Sequence, residues 1–115
     1  MINALNSALS ALSFFTKKLD VSANNIANCS TENFKKSSVD ALQDESGAPR
    51  AVVTKINTPG MPIYSVDDDE VRESSNVNIA QELVNTMNAK RGYITNLKTI
   101  KTQDEIQEAL LDILA

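Results

Sequence analysis

The chain has 115 residues, of which 42% are hydrophobic and 4% aromatic, with no His, no Trp, one Cys and a formal net charge of -4. That length allows one small domain and leaves little for a large compact core. Without His there is no Ser-His or Cys-His nucleophile and no zinc site of the His-containing types. One Cys closes no intramolecular disulfide and builds no four-cysteine site. The basic residues fall in doublets, Lys17-Lys18, Lys35-Lys36 and Lys90-Arg91. A phosphate-binding surface needs a clustered stripe, so nucleic acid is not an expected partner. No apolar run approaches the roughly 20 residues of a membrane span. Met1 to Phe15 lacks both a basic n-region and an unbroken apolar h-region, so the expected product is cytosolic, or exported without a cleaved signal.

The first part, residues 1–33, reads as a heptad helix and a turn. Leu5, Leu12, Leu19 and Ile26 recur every seventh residue, and Ile2, Leu9, Thr16 and Ala23 fill the second seam position. This is a coiled-coil stripe. The opposite face is rich in Ser and Asn, which compete for backbone hydrogen bonds, so the helix is weak alone and needs a partner. It is expected to end near Asn25 to Asn28, with Cys29-Ser30-Thr31-Glu32-Asn33 as turn chemistry.

Residues 34–75 form a β-rich middle segment. Ala51 to Ile56 is β-branched and partly alternating, Ile63 to Val66 is a weaker strand, and Ser37 to Leu42 is a third candidate. Asp44 to Gly47 and Thr58-Pro59-Gly60 are turn signals, the Pro-Gly pair suiting the centre of a type II turn. The segment from Phe34 to Asn78 carries five basic and eight acidic residues, hence most of the negative excess. Its run Asp67-Asp68-Asp69-Glu70 lacks the alternating ligands and Gly of a calcium loop and reads as solvated.

Residues 76–115 read as a second long helix, Ile79 to Leu114. Asn78 serves as N-cap, with Gln81 three residues on as a capping-box variant. Ala80, Leu83, Met87, Ile94, Leu97, Ile100, Leu110 and Leu114 follow helical spacing, broken by Lys90, Lys101 and Asp104. Gly92 costs about 1 kcal/mol relative to Ala mid-helix, which marks a close helix approach or a bend. The fold class is mainly α: two long terminal helices in an antiparallel coiled coil, joined by a short β ribbon. Residues 1–33 and 76–115 together make one helical domain.

The seam can serve an internal hairpin core or contacts between subunits. Two bare helices bury too little surface to offset chain entropy easily, which favours the second use. The candidate assembly contacts are Leu5, Leu9, Leu12, Leu19, Ile26, Leu83, Met87, Ile94 and Leu97. Tyr93 reads as a packing anchor. Asn24, Asn25 and Asn28 are either cap and turn residues or amides bonding neighbouring subunits. Adjacent carboxylates such as Asp104 and Glu105 point in different directions on a helix. No catalytic residues, metal site or cofactor are expected.

Ser22-Ala23-Asn24-Asn25-Ile26-Ala27-Asn28, then Thr31 and Phe34-Lys35-Lys36, resembles the N-terminal signature of bacterial flagellar basal-body rod and hook proteins, A-N-N-I/L-A-N, T, then G-F-K. Ser75-Asn76-Val77-Asn78-Ile79-Ala80-Gln81-Glu82-Leu83, followed by Ala89-Lys90-Arg91-Gly92-Tyr93 and Asn96 to Ile106, resembles the family's C-terminal block. The matching motif positions are Asn24, Asn25, Ile26, Ala27, Asn28, Thr31, Phe34, Ser75, Asn76, Val77, Arg91 and Tyr93. Asn33 stands in place of the usual Gly, and Asn is the next best residue for a left-handed turn. Asn78, Gln81 and Gly92 replace the usual Asp, Glu and Ala.

The resemblance implies a structural subunit whose terminal helices pack into the wall of a helical tube. It implies partners among rod and hook subunits and the flagellar type III export apparatus, and a place in the basal body reached without a cleaved signal. The short middle segment is similar in size to proximal-rod members. The alternative is a helical adaptor or accessory protein of the export and assembly system that does not polymerise.

Overall fold

The computed structural model describes residues 2–43, 47–64 and 71–114. Helix α1 spans Ile2–Ala27 and helix α2 spans Ile79–Leu114. Between them lie β1 (Ser37–Gln43) and β2 (Pro49–Lys55), then the two-residue strands β3 (Pro62–Ile63) and β4 (Arg72–Glu73). The mainly α class with a short β ribbon is thus the observed one. The run Asp67 to Glu70 lies outside the described residues, as do Asp44 to Ser46 of the first turn.

The helices run antiparallel along each other. Leu5 meets Ile100 across a small gap, the Phe15 ring lies on Gly92, and Ser22 shares a groove with Glu82. As numbers rise along α1, they fall along α2. At about 1.5 Å per residue, α2 is about 15 Å longer than α1 and runs on past its start. The molecule measures 80 × 26 × 14 Å with a radius of gyration of 20.4 Å. A compact chain of this length would be near 13 Å, so much of the surface is helix flank.

Asn fixes the end of α1 and the start of α2. At the end of α1, Asn28 Nδ2 donates to the Asn24 carbonyl at 2.9 Å. At the start of α2, the Gln81 N–H donates to Asn78 Oδ1 at 3.1 Å, so Asn78 is the N-cap. Gln81 does not reach back to complete the box; its amide lies 3.5 Å from Asn85 Oδ1. Thr16, Thr86, Thr95 and Thr99 donate their hydroxyls to the carbonyls four residues back, the back-bonding that makes these helices weak on their own.

Two of the three expected strands pair with each other. Ser37–Gln43 and Pro49–Lys55 are partners in one antiparallel ladder, with Val39 opposite Val53 and Gln43 opposite Pro49. Val39 is buried, and both strands lie along α1. Of Ile63 to Val66, only Ile63 is in a described strand, and β3 pairs with β4, a charged dipeptide that composition does not flag. The type II turn at Pro59-Gly60 is corrected. Gly60 lacks the positive φ that turn demands. It is glycine for space, because a Cβ there would stand 1.9 Å from the Ser74 carbonyl oxygen.

Gly92 also marks a close approach rather than a bend. A Cβ at that position would fall 2.2 Å from Phe15 Cζ. Phe15 in turn meets Phe14 edge-on, with ring centres 5.2 Å apart, and Lys18 Nζ lies 5.9 Å from the Phe14 ring centre. The buried apolar set among the described residues is thin: Ala8, Phe14, Val39, Ala48 and Ala89.

Candidate assembly interface

Two groups of candidate residues separate in space. The motif residues near the end of α1 and the entry to α2 gather into one knot. Asn25, 1% exposed, donates Nδ2 to the Ser37 carbonyl at 2.8 Å and accepts the Ser37 N–H at 3.0 Å. One amide thus latches β1 to α1 by imitating a strand partner. Asn76 Oδ1 accepts the Lys36 N–H at 2.7 Å, while its Nδ2 reaches the Ile56 and Thr58 carbonyls at 2.9 and 3.0 Å. Asn76 therefore ties both ribbon ends to the start of α2. Thr31 Oγ1 donates to Asn28 Oδ1, and Ser75 Oγ accepts the Val77 N–H. Ile26, Phe34 and Val77 are half-buried beside these bonds, whereas Asn24 and Ala27 are exposed.

Asn33 has φ 59° and so takes the left-handed role given to it from its identity. Its backbone N–H donates to the Glu73 carbonyl at 2.7 Å, and its Oδ1 accepts the Glu73 N–H at 3.1 Å. The Glu73 carboxylate takes the Lys35 ammonium and the Gly60 N–H. These bonds, Lys35 first, hold the Glu73 carboxyl below the ordinary carboxylate range. Arg72 pairs with Glu32 at 3.0 Å on the rim. The pairing of Asn33 and Lys35 with Glu73 escapes sequence reasoning because the partners are about forty residues apart.

Apart from Ile26, the apolar candidates do not gather in the knot. The face of α2 turned to α1 carries Glu82, Asn85, Ala89, Gly92, Tyr93, Asn96 and Ile100, mostly small or polar. Leu83, Met87 and Ile94 lie on its far side, since a residue two places from buried Ala89 is turned by about 200°. They are 52%, 55% and 40% exposed, and Leu97 on the flank is 50% exposed. Arg91 stands among them, exposed, while Tyr93 is half-buried toward α1. On α1, Leu5, Leu12, Leu19 and Ile26 are half-buried, and Leu9 is exposed. Past the start of α1, Ile106, Leu110, Ile113 and Leu114 are exposed as well.

Among the described residues no His, Cys, Asp and Glu cluster is placed to hold a metal ion, and no helix is long and apolar enough to cross a membrane. The fold and its surfaces define a structural class: a helix pair pinned by an amide knot, with more apolar surface outside than inside. The family model "Flagella basal body rod protein" matches residues 5–35, and the model "Flagellar basal body rod FlgEFG protein C-terminal" matches residues 71–113. The flagellar hook protein FlgE of Escherichia coli (strain K12) is 38% identical over 61 residues, 53% of this chain and 15% of that protein. The basal-body rod protein FlgG of Buchnera aphidicola subsp. Baizongia pistaciae is 53% identical over 55 residues, 48% of this chain and 21% of that protein. FlgG of the Acyrthosiphon pisum subspecies is 42% identical over 53 residues, covering 46% and 20%. The two models take in both terminal segments of the chain, which belongs to the flagellar basal-body rod and hook protein family. It spans 15% to 21% of the length of these relatives.

Proposed function

We infer that the chain builds a helical tube of the flagellar basal-body rod by packing the outward stripe of α2 against neighbouring subunits. The supporting observation is the inversion of α2: its small and polar face meets α1, while Leu83, Met87 and Ile94 face outward without cover. Burial of apolar area at about 25 cal/mol per Å² drives association, and an exposed apolar stripe of this length is an interaction site rather than scattered surface. The 51-residue connection between α1 and α2 makes a slight outer domain and suits a proximal-rod position. Partners in this role are further copies, other rod and hook subunits, and the export apparatus. The working place is the basal body, beyond the inner membrane, reached without a cleaved signal. Sedimentation velocity over a wide concentration range tests the proposal. Open-ended growth of species is expected. A single closed dimer or tetramer at all concentrations would instead identify a non-polymerising adaptor.

A further inference from the structure

Glu82 is 4% exposed, yet its carboxylate has no hydrogen bond or ion pair among the described residues. It lines a groove of about 350 Å³ between α1, the ribbon and the start of α2, with Lys18, Ser22, Lys36, Asp40 and Asn85 on the other walls. Neither lysine comes within ion-pair distance of Glu82, and Lys18 is turned to the Phe14 ring. Its oxygens are not among the fully buried unpartnered atoms, so they open onto the groove, where a charged group that donates hydrogen bonds can reach them. A water occupies about 30 Å³, so the groove has room for a guanidinium and its stem.

The complementary group stands on the other side of the same helix. Arg91 follows Met87 by four residues and precedes Ile94 by three, so it lies inside the outward apolar stripe. It is exposed, and its guanidinium has no hydrogen bond or ion pair among the described residues. If that stripe docks on a neighbour, Arg91 is carried into the contact and needs an anion there. We propose that Arg91 of one copy enters the groove of a second copy and pairs with its Glu82. This rests on the assembly proposed above. Donor and acceptor occupy opposite faces of α2, so the contact is head-to-tail, and a head-to-tail contact that does not close into a ring propagates as a filament.

A double-mutant cycle on the full-length chain tests the pair. Association is read by sedimentation velocity for the wild type, Glu82→Gln, Arg91→Gln and the double variant. Monomer folding is checked by thermal melts below the association range. Each single change is expected to raise the concentration at half-association by at least about tenfold, and the double variant to do no more than the larger single. Arg91→Lys should retain most of the association, and an equimolar mixture of the two single variants should form dimers where neither does alone. The surface variant Arg91→Gln decides the matter even if Glu82→Gln loses its melt. Wild-type association by Arg91→Gln, additive losses, or no rescue in the mixture would overturn the pair alone. A wild type that stays monomeric throughout would overturn the assembly proposal as well.

Discussion

Gly92 and Phe15 show how a single missing side chain places two helices. The ring occupies the volume a methyl group would take, 2.2 Å from the Cβ position. Gly92→Ala should gain about 1 kcal/mol of helix propensity and lose about 1–3 kcal/mol to overpacking. A net fall in thermal midpoint is expected, and Phe15→Leu in the same chain should recover it. A Gly92→Ala variant that melts above the wild type would refute the close packing. Asn76 is the second decisive residue. Replacing it with Ala strands the Lys36 N–H and the Ile56 carbonyl, each worth about 1 kcal/mol, and leaves the Thr58 carbonyl with Lys35 as its donor. Asn76→Ala should therefore destabilise by about 2–3 kcal/mol, read as a lower denaturant midpoint, with earlier amide exchange in β1 and β2 than in the helices.

Among the elements, the β3–β4 pair depends on charge in a way the longer ribbon does not. Glu73 in the folded chain ionises below its unfolded value, because Lys35 and the Gly60 N–H hold the charged form. The unfolded chain then binds the extra proton first in acid. The stabilisation is complete above the unfolded value and fades as pH falls through the lower folded value. Glu73→Gln should flatten this acid limb of a stability–pH curve while leaving the neutral-pH shape of the molecule intact. An acid limb of unchanged slope in that variant would assign the effect elsewhere.

The elements also show what the chain makes legible and what it hides. Both helices, the Asn78 cap and the sparse core follow from spacing and side-chain chemistry within a few residues, and the left-handed Asn33 from its place at the usual Gly of the family motif. Gly92 is legible as an anomaly, since a mid-helix glycine demands a reason, but its partner Phe15 lies off the heptad seam. The pairing of Ser37 to Gln43 with Pro49 to Lys55, the β4 strand and the Glu73 clasp rest on contacts distant in sequence, which local composition does not encode. The face of α2 that meets α1 is hidden for another reason. Periodicity locates the apolar stripe, and here the internal contact is made by Ala89, Gly92 and polar neighbours instead. For Asn25 the structure gives the amide a partner in its own chain, Ser37.

The whole molecule is an elongated pair of helices, and its apolar surface is distributed outward. Seventeen large apolar residues are exposed against five buried apolar ones among the described residues. A monomer of this kind should melt broadly at low concentration and sharpen as concentration rises, because binding of a folded neighbour stabilises by mass action. The most direct measurement is sedimentation velocity on Ile94→Glu beside the wild type, with a dilute thermal melt of each. The side chain is outside the internal contact, so the dilute melts should coincide while the variant's association weakens by at least about tenfold, or 1.4 kcal/mol. Association of Ile94→Glu at wild-type concentrations would contradict the outward stripe as the assembly surface.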